Sequence, residues 1–189
     1  MDAGFSETDR KLFRDLADRA AITETLNMYW HALDSRDFDL LDSVFAPEVQ
    51  TSPSGPTITR AKIKEVVSGV RKYPVSHHGP RTIRITLDGD RAHANSYAMD
   101  FLLLNPPDRE WPRHSSWPVH DDRPGPAVRF HGLRYVDDLA RLPEGWRITR
   151  RVGPVALWRA EVCGVTVHPD HANLRSAEWP AEEFFDRFA

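Results

Sequence analysis

Met28-Tyr29-Trp30-His31-Ala32-Leu33-Asp34-Ser35-Arg36-Asp37 reads as the last turns of a long amphipathic helix. Leu12, Leu16, Ile22, Leu26, Tyr29, Trp30 and Leu33 recur at roughly helical spacing, with a drift near Ala20-Ala21. Trp30 and Asp34 are four apart and share a face, so a carboxylate follows directly on aromatic surface that should be buried. Such a carboxylate must be solvated or take a hydrogen-bond donor. The sequence offers His77-His78 as that donor, a histidine pair just ahead of the first long strand. An acid that only caps or solvates a helix end is the other reading open at this point.

Working outward, Ser6-Glu7-Thr8-Asp9 has the form of a capping box, with Asp in place of the usual Glu, and opens this helix. The helix is expected over about 7–34, with a break or kink near Ala17–Ala21. A turn at Ser35-Arg36-Asp37 leads into a short second helix through Leu40, Leu41, Val44 and Phe45, stopped before Pro47. A short strand over 48–52 and a turn at Pro53-Ser54-Gly55-Pro56 precede a third helix, about 60–70. From Arg81 the period becomes two, with Ile83, Ile85 and Leu87 on one face and Asp88-Gly89 as a hairpin turn. The return strand, 91–104, puts Ala92, Ala94, Ser96, Ala98, Asp100 and Leu102 on one face and Tyr97, Met99, Phe101 and Leu103 on the other. Small residues along the first face leave room for a helix or a ligand.

Residues 105–126 break the regularity with six prolines, Trp111 and Trp117. A connection of this length is usually functional or mobile, and its tryptophans suggest a flap over a pocket or an interface. Strands follow over about 127–141, with Gly132 as a candidate bulge, then 146–152 and 155–165. The tail ends in a short amphipathic pattern carrying Trp179, Phe184, Phe185 and Phe188, expected to dock on the domain or on a second subunit.

The chain has 189 residues, 40% hydrophobic and 28% charged, which fits one soluble domain. No apolar run approaches the ~20 residues needed to span a bilayer. No basic region followed by an apolar core marks a secretory signal, and the single cysteine, Cys163, rules out an intrachain disulfide. A cytoplasmic protein is expected. Net charge is −3 and no basic run exceeds two residues, so nothing marks a nucleic-acid binder. Nine histidines include no His-x-x-x-His cluster, so a zinc site is not expected.

The order of helices followed by long antiparallel strands is an α+β layout with helices on one side of a curved sheet. Asp18-Arg19-Ala20-Ala21-Ile22, Tyr29…Ala32-Leu33-Asp34…Asp37 and Leu41-Asp42…Phe45-Ala46-Pro47 resemble the opening of SnoaL-like proteins, in the nuclear transport factor 2-like superfamily. His77-His78, Ile83…Asp88-Gly89-Asp90…Ala92, Gly132…Tyr135-Val136-Asp137 and Gly145-Trp146-Arg147-Ile148 continue the resemblance in order, over about 10–155. It implies a cone-shaped α+β barrel, a curved antiparallel sheet wrapped around N-terminal helices, with an apolar pocket at one end. The domain would span 1–155 with the 105–126 insert, and 156–189 would be a C-terminal extension.

Fold alone decides no reaction, because the superfamily includes dehydratases, isomerases, cyclases, hydrolases and silent binders. Within it, scytalone dehydratase and hexachlorocyclohexane dehydrochlorinase pair an Asp at the end of the first helix with a His before the long strands. By position Asp34 and His78 match that pair, His77 being the less fitting partner. The resemblance therefore implies a cofactor-independent lyase or isomerase acting on a small apolar cyclic molecule. His78 would be the base and Asp34 its orienting acid, since a neutral imidazole with a pKa near ~6.5 can accept a proton at physiological pH. Tyr29, Asp100, His131 and Arg151 are candidate polar contacts to substrate, and Trp30, Tyr97, Phe101 and Trp111 candidate wall or tyrosine-donor positions. For each the plain alternative, a core tyrosine or tryptophan or a solvated strand arginine, stays open. A homodimer or homotrimer pairing through the outer sheet face is implied by the resemblance only. The competing function is a non-catalytic binding or assembly module, such as the small subunit of a ring-hydroxylating oxygenase; a pocket plugged by its own side chains would favour it.

Overall fold

A computed structural model describes residues 5–104 and 125–165. The capping box forms as read: the Ser6 hydroxyl accepts from the Asp9 N–H, and the Asp9 carboxylate accepts from the Ser6 N–H, both at 3.1 Å. Helix α1 then runs without interruption over Glu7–Ser35. No break interrupts it at Ala17–Ala21. The drift in periodicity there marks where the helix meets the sheet. Leu12, Phe13 and Leu16 stay 51–55% exposed, whereas Ile22, Leu26, Tyr29, Trp30, Ala32 and Leu33 are buried. Docking begins at Asp18, whose carboxylate accepts from the Trp146 indole at 3.2 Å, and at Arg19, which donates to the Ile85 carbonyl at 2.8 Å.

The second helix is shorter than the sequence suggests, a 3₁₀ segment over Phe38–Asp42. Phe45 belongs to strand β1, Phe45–Gln50. Pro47 is tolerated in that strand because it falls in a register irregularity, between the Phe45 and Gln50 pairings. Strand β2, Thr57–Thr59, leads through the Thr59 cap into α2, Arg60–Val67, which ends as a second 3₁₀ segment over Ser68–Lys72. Strand β3 covers Ser76–Asp88, so His77 and His78 lie inside it and not ahead of it. The Gly79-Pro80 pair hides this in the sequence. Because β3 is an edge strand with an irregularity at Pro80–Thr82, the proline costs no ladder bond that the sheet needs.

Strands β4, Arg91–Leu104, β5, Ala127–Leu142, and β6, Gly145–Cys163, complete the sheet. The strands expected over 146–152 and 155–165 are this one strand, bent by register shifts, and it carries the sheet past residue 155. The order is β2-β1-β6-β5-β4-β3 in a curved, unclosed six-stranded sheet. It is mixed and not wholly antiparallel, because β1 runs parallel to β6. The α+β class holds, with α1 lying in the concave face against Ala92, Ala94, Ala98, Leu133, Tyr135 and Leu139. The 105–126 insert, apart from its last two residues, lies outside the described residues, as do Trp111 and the aromatic tail.

Gly153 shows how tightly β6 is drawn onto β5. Its φ is +123°, and a Cβ there would meet the Arg134 carbonyl oxygen at 2.8 Å. Gly153→Ala is expected to destabilise the fold by about 1–3 kcal/mol, read from urea unfolding, because both the conformation and the backbone contact exclude a side chain.

Candidate active site

Asp34 sits in the last turn of α1, where its carboxylate is turned toward the start of β3. The His78 ring Nδ1 lies 2.6 Å from Asp34 Oδ1, and the His78 backbone N–H donates to Oδ2 at 2.6 Å. Ser76 adds a third bond, its hydroxyl donating to Oδ1 at 2.8 Å. Arg36 locks the arrangement from behind. This residue closes the helix in the left-handed conformation, φ 65°, and its guanidinium bonds to the Leu33 carbonyl, to the Ser76 hydroxyl at 2.7 Å and to the Tyr73 carbonyl at 3.2 Å. Neither Ser76 nor Arg36 stands out in the sequence, since their roles depend on the helix end meeting the strand start.

Burial alone would raise the Asp34 pKa; the bonds from the His78 ring, the His78 N–H and Ser76 outweigh it, and the carboxyl lies below its usual range. An ionised Asp34 accepts a proton bond from His78 Nδ1–H, which leaves the Nε2 lone pair as the basic position. A depressed carboxyl pKa contributes stability that is present above the unfolded value of ~3.9 and is lost as pH falls through the folded one. Asp34→Asn is therefore expected to flatten the acid limb of a stability–pH curve below about pH 4, measured by urea unfolding at stepped pH.

His78 Nε2 points toward Asp100, whose Oδ2 is 3.9 Å away. Asp100 in turn holds His131, with Nδ1 at 2.6 Å from Oδ1. Both residues are buried. Together with His78, Tyr29 and Tyr135 they line a cavity of about 530 Å³. Burial raises the pKa of both tyrosines, Tyr135 the more strongly, so their hydroxyls stay protonated. Behind Tyr29 a smaller cavity of about 230 Å³ reaches Arg151, and Tyr29, Val66, Val67 and Pro154 wall both spaces.

Arg151 is not a solvated strand arginine. It is 9% exposed, and its guanidinium donates to Asp137 Oδ1 at 2.7 Å and Oδ2 at 2.9 Å while lying 4.1 Å from the Tyr29 ring centre. Trp30 packs edge-on against Tyr29 and Tyr135 at 4.9 and 4.8 Å and is core, not cavity wall. Tyr97 and Phe101 face the other way. Period two along β4 sends them to the outer surface of the sheet, opposite Asp100, where Tyr97 is 44% exposed and Phe101 contacts His77 and Phe130. His77 shares that outer face, so His78 alone of the pair reaches the cavity.

Residues 14–152 match the model of the SnoaL-like domain. The uncharacterised protein Rv2910c of Mycobacterium tuberculosis is 33% identical over 142 residues, 73% of this chain and 85% of that protein. Among solved structures, a hexachlorocyclohexane dehydrochlorinase (LinA) of type 2 superimposes with a TM-score of 0.62 at 16% identity, covering 87% of this chain and 98% of its own. The Kfla4162 protein of Kribbella flavida gives 0.61 at 19% identity over 77% and 95%. A candidate scytalone dehydratase of Novosphingobium aromaticivorans gives 0.57 at 18% over 82% and 91%. At these identities the structures speak for the fold, and the domain match together with the mycobacterial relative speaks for the family. The chain belongs to the SnoaL-like family, on the nuclear transport factor 2-like fold.

Proposed function

We propose that this protein is a cofactor-independent lyase or isomerase that removes a carbon-bound proton from a small, mostly apolar, ring-containing substrate. His78 is the base and Asp34 fixes its tautomer and stabilises the imidazolium that forms. The observation that carries this reading is the 2.6 Å contact between Asp34 Oδ1 and His78 Nδ1 at the wall of an open cavity. The protonated Tyr29 and Tyr135 line the same cavity as donors to the negative charge that builds on the substrate, and Asp100, paired with His131, stands beside the basic nitrogen. Elimination of water or of halide and migration of a double bond all begin with this step, and the LinA and scytalone dehydratase structures of the same fold lend the first two weight.

A homodimer or homotrimer through the outer sheet face belongs to the same reading. Tyr97, Val155, Trp158 and Val162 are 43–47% exposed on or beside that face. With one cysteine in the chain, we place the protein in the cytoplasm. Among the described residues no helix is long and apolar enough to cross a membrane. A thermal-shift screen of cyclic ketones, alcohols and halides on wild type and His78→Ala tests the site. Ligands that raise the wild-type midpoint are expected to lose most of their effect in the variant. Equal shifts in both proteins would place binding elsewhere.

A further inference from the structure

Helix α1 ends on an unusual residue. Among the described residues Arg36 is the one non-glycine with a positive φ, and glycine or asparagine is the common occupant of such a helix stop. A side-chain-bearing residue stays in this region only where its surroundings over-determine it. Among the described residues the Arg36 side chain donates to three acceptors. Nη1 serves both the Leu33 carbonyl and the Ser76 hydroxyl, and Nη2 serves the Tyr73 carbonyl. One guanidinium thereby ties together the last turn of α1, the cavity wall at Tyr73 and the first residue of β3.

Ser76 gives this brace a direction. Its oxygen accepts from Arg36 at 2.7 Å, so its own proton is left to point at Asp34 Oδ1, 2.8 Å away. Oδ1 therefore faces two groups, the Ser76 hydroxyl and the His78 ring, while Oδ2 takes the His78 backbone N–H. An ionised carboxylate only accepts, so the ring nitrogen that meets it is the protonated one. Without the guanidinium the hydroxyl is free to rotate. Asp34 then loses a fixed donor, and its carboxylate is no longer held square to His78 Nδ1.

Resting on the assignment of His78 as the base, we propose that Arg36 is a positioning residue. Acting through Ser76, it holds Asp34 in the orientation that keeps the His78 proton on Nδ1 and leaves Nε2 for the substrate. A plain helix cap makes a different demand. It needs only the left-handed backbone, which glycine supplies best, or a cation near the helix end, which lysine supplies as well as arginine. A planar fork that reaches three acceptors at once is the property of arginine alone.

The test uses the full chain with Arg36→Gly, Arg36→Lys, Ser76→Ala and the double variant Arg36→Gly/Ser76→Ala, circular dichroism checking that each is folded. Long-range proton–nitrogen NMR of the histidine rings, with the His78 signal assigned by its loss in His78→Asn, reads which nitrogen holds the proton at about pH 8.5, above the usual histidine range. Exchange of the hydrogens next to the carbonyl of 1-tetralone in heavy water reads the rate. Wild type is expected to hold the His78 proton on Nδ1 alone. Each single variant should show a mixture of the two tautomers and lose about tenfold in exchange rate, Arg36→Gly and Arg36→Lys alike. The double variant should be no slower than the slower single variant, because both changes act on one bond. A His78 ring that keeps its proton on Nδ1 in Arg36→Gly or in Ser76→Ala, an Arg36→Lys variant equal to wild type, or single losses that multiply in the double variant overturns the proposal. Should Arg36→Gly not fold, Ser76→Ala, which leaves the helix stop untouched, decides by the same signal. Absence of exchange in wild type overturns the base reading, and the ring tautomer then decides the role of Arg36 by itself.

Discussion

Asp137→Ala is expected to destabilise the protein by about 3–5 kcal/mol, the range for removing one partner of a buried ion pair. Asp137 is fully buried and Arg151 nearly so, and the two are joined by parallel bonds of 2.7 and 2.9 Å. Burial works against the Arg151 charge, but Asp137 more than compensates, and the arginine pKa lies above its ordinary value. Without Asp137 a guanidinium stays locked among Tyr29, Phe45 and Tyr135, at 4.1, 5.1 and 4.9 Å from their ring centres, with no counter-charge. The double variant Asp137→Leu/Arg151→Met removes both charges and is expected to recover most of the loss. Urea midpoints of the two variants decide this. A single variant within about 1 kcal/mol of wild type would mean that the pair is not what holds β5 and β6 against α1.

Much of this architecture could be read from local patterning. The Ser6–Asp9 capping box and the period-two alternation along β4 follow from spacing that the fold respects, whereas the choice of His78 over His77 beside Asp34 comes from the resemblance to SnoaL-like proteins. The misreadings have one cause, which is that register is not a local property. Gly79-Pro80 looks like a turn, but an edge strand absorbs it, so β3 starts at Ser76 and takes His78 with it. Phe45 has a helical neighbourhood, yet parallel pairing with β6, about 100 residues away in sequence, draws it into β1. Arg151 looks like an ordinary strand charge until the β5–β6 register puts Asp137 opposite it. The Asp100–His131 contact likewise spans strands β4 and β5, which no local pattern could align. Tyr97 and Phe101 are different: the alternation already put them on the face away from Asp100, and the aromatic side chains were the misleading signal.

The second large effect concerns His78. His78→Asn is expected to slow carbon-proton transfer by about 10²–10⁴-fold, the usual worth of a positioned general base. The asparagine amide can still donate to Asp34, so the fold is expected to survive the change. Asp34→Asn is expected to act through the same nitrogen. An amide in place of the carboxylate no longer selects the Nδ1–H tautomer, and Nε2 is then occupied by the proton it should accept. Variants at Ser76 should give smaller losses, because two bonds from His78 still hold Asp34.

Exchange of carbon-bound hydrogen for deuterium reports this step without knowledge of the natural substrate. Cyclic ketones of one to three rings, some bearing a carboxylate, are incubated with the protein in heavy water, and loss of signal next to the carbonyl is followed by proton NMR. Wild type is expected to speed exchange in members of the panel, and His78→Asn to return it to the uncatalysed rate. Exchange that persists in His78→Asn, or none above background in wild type, would contradict the assignment of His78 as the base.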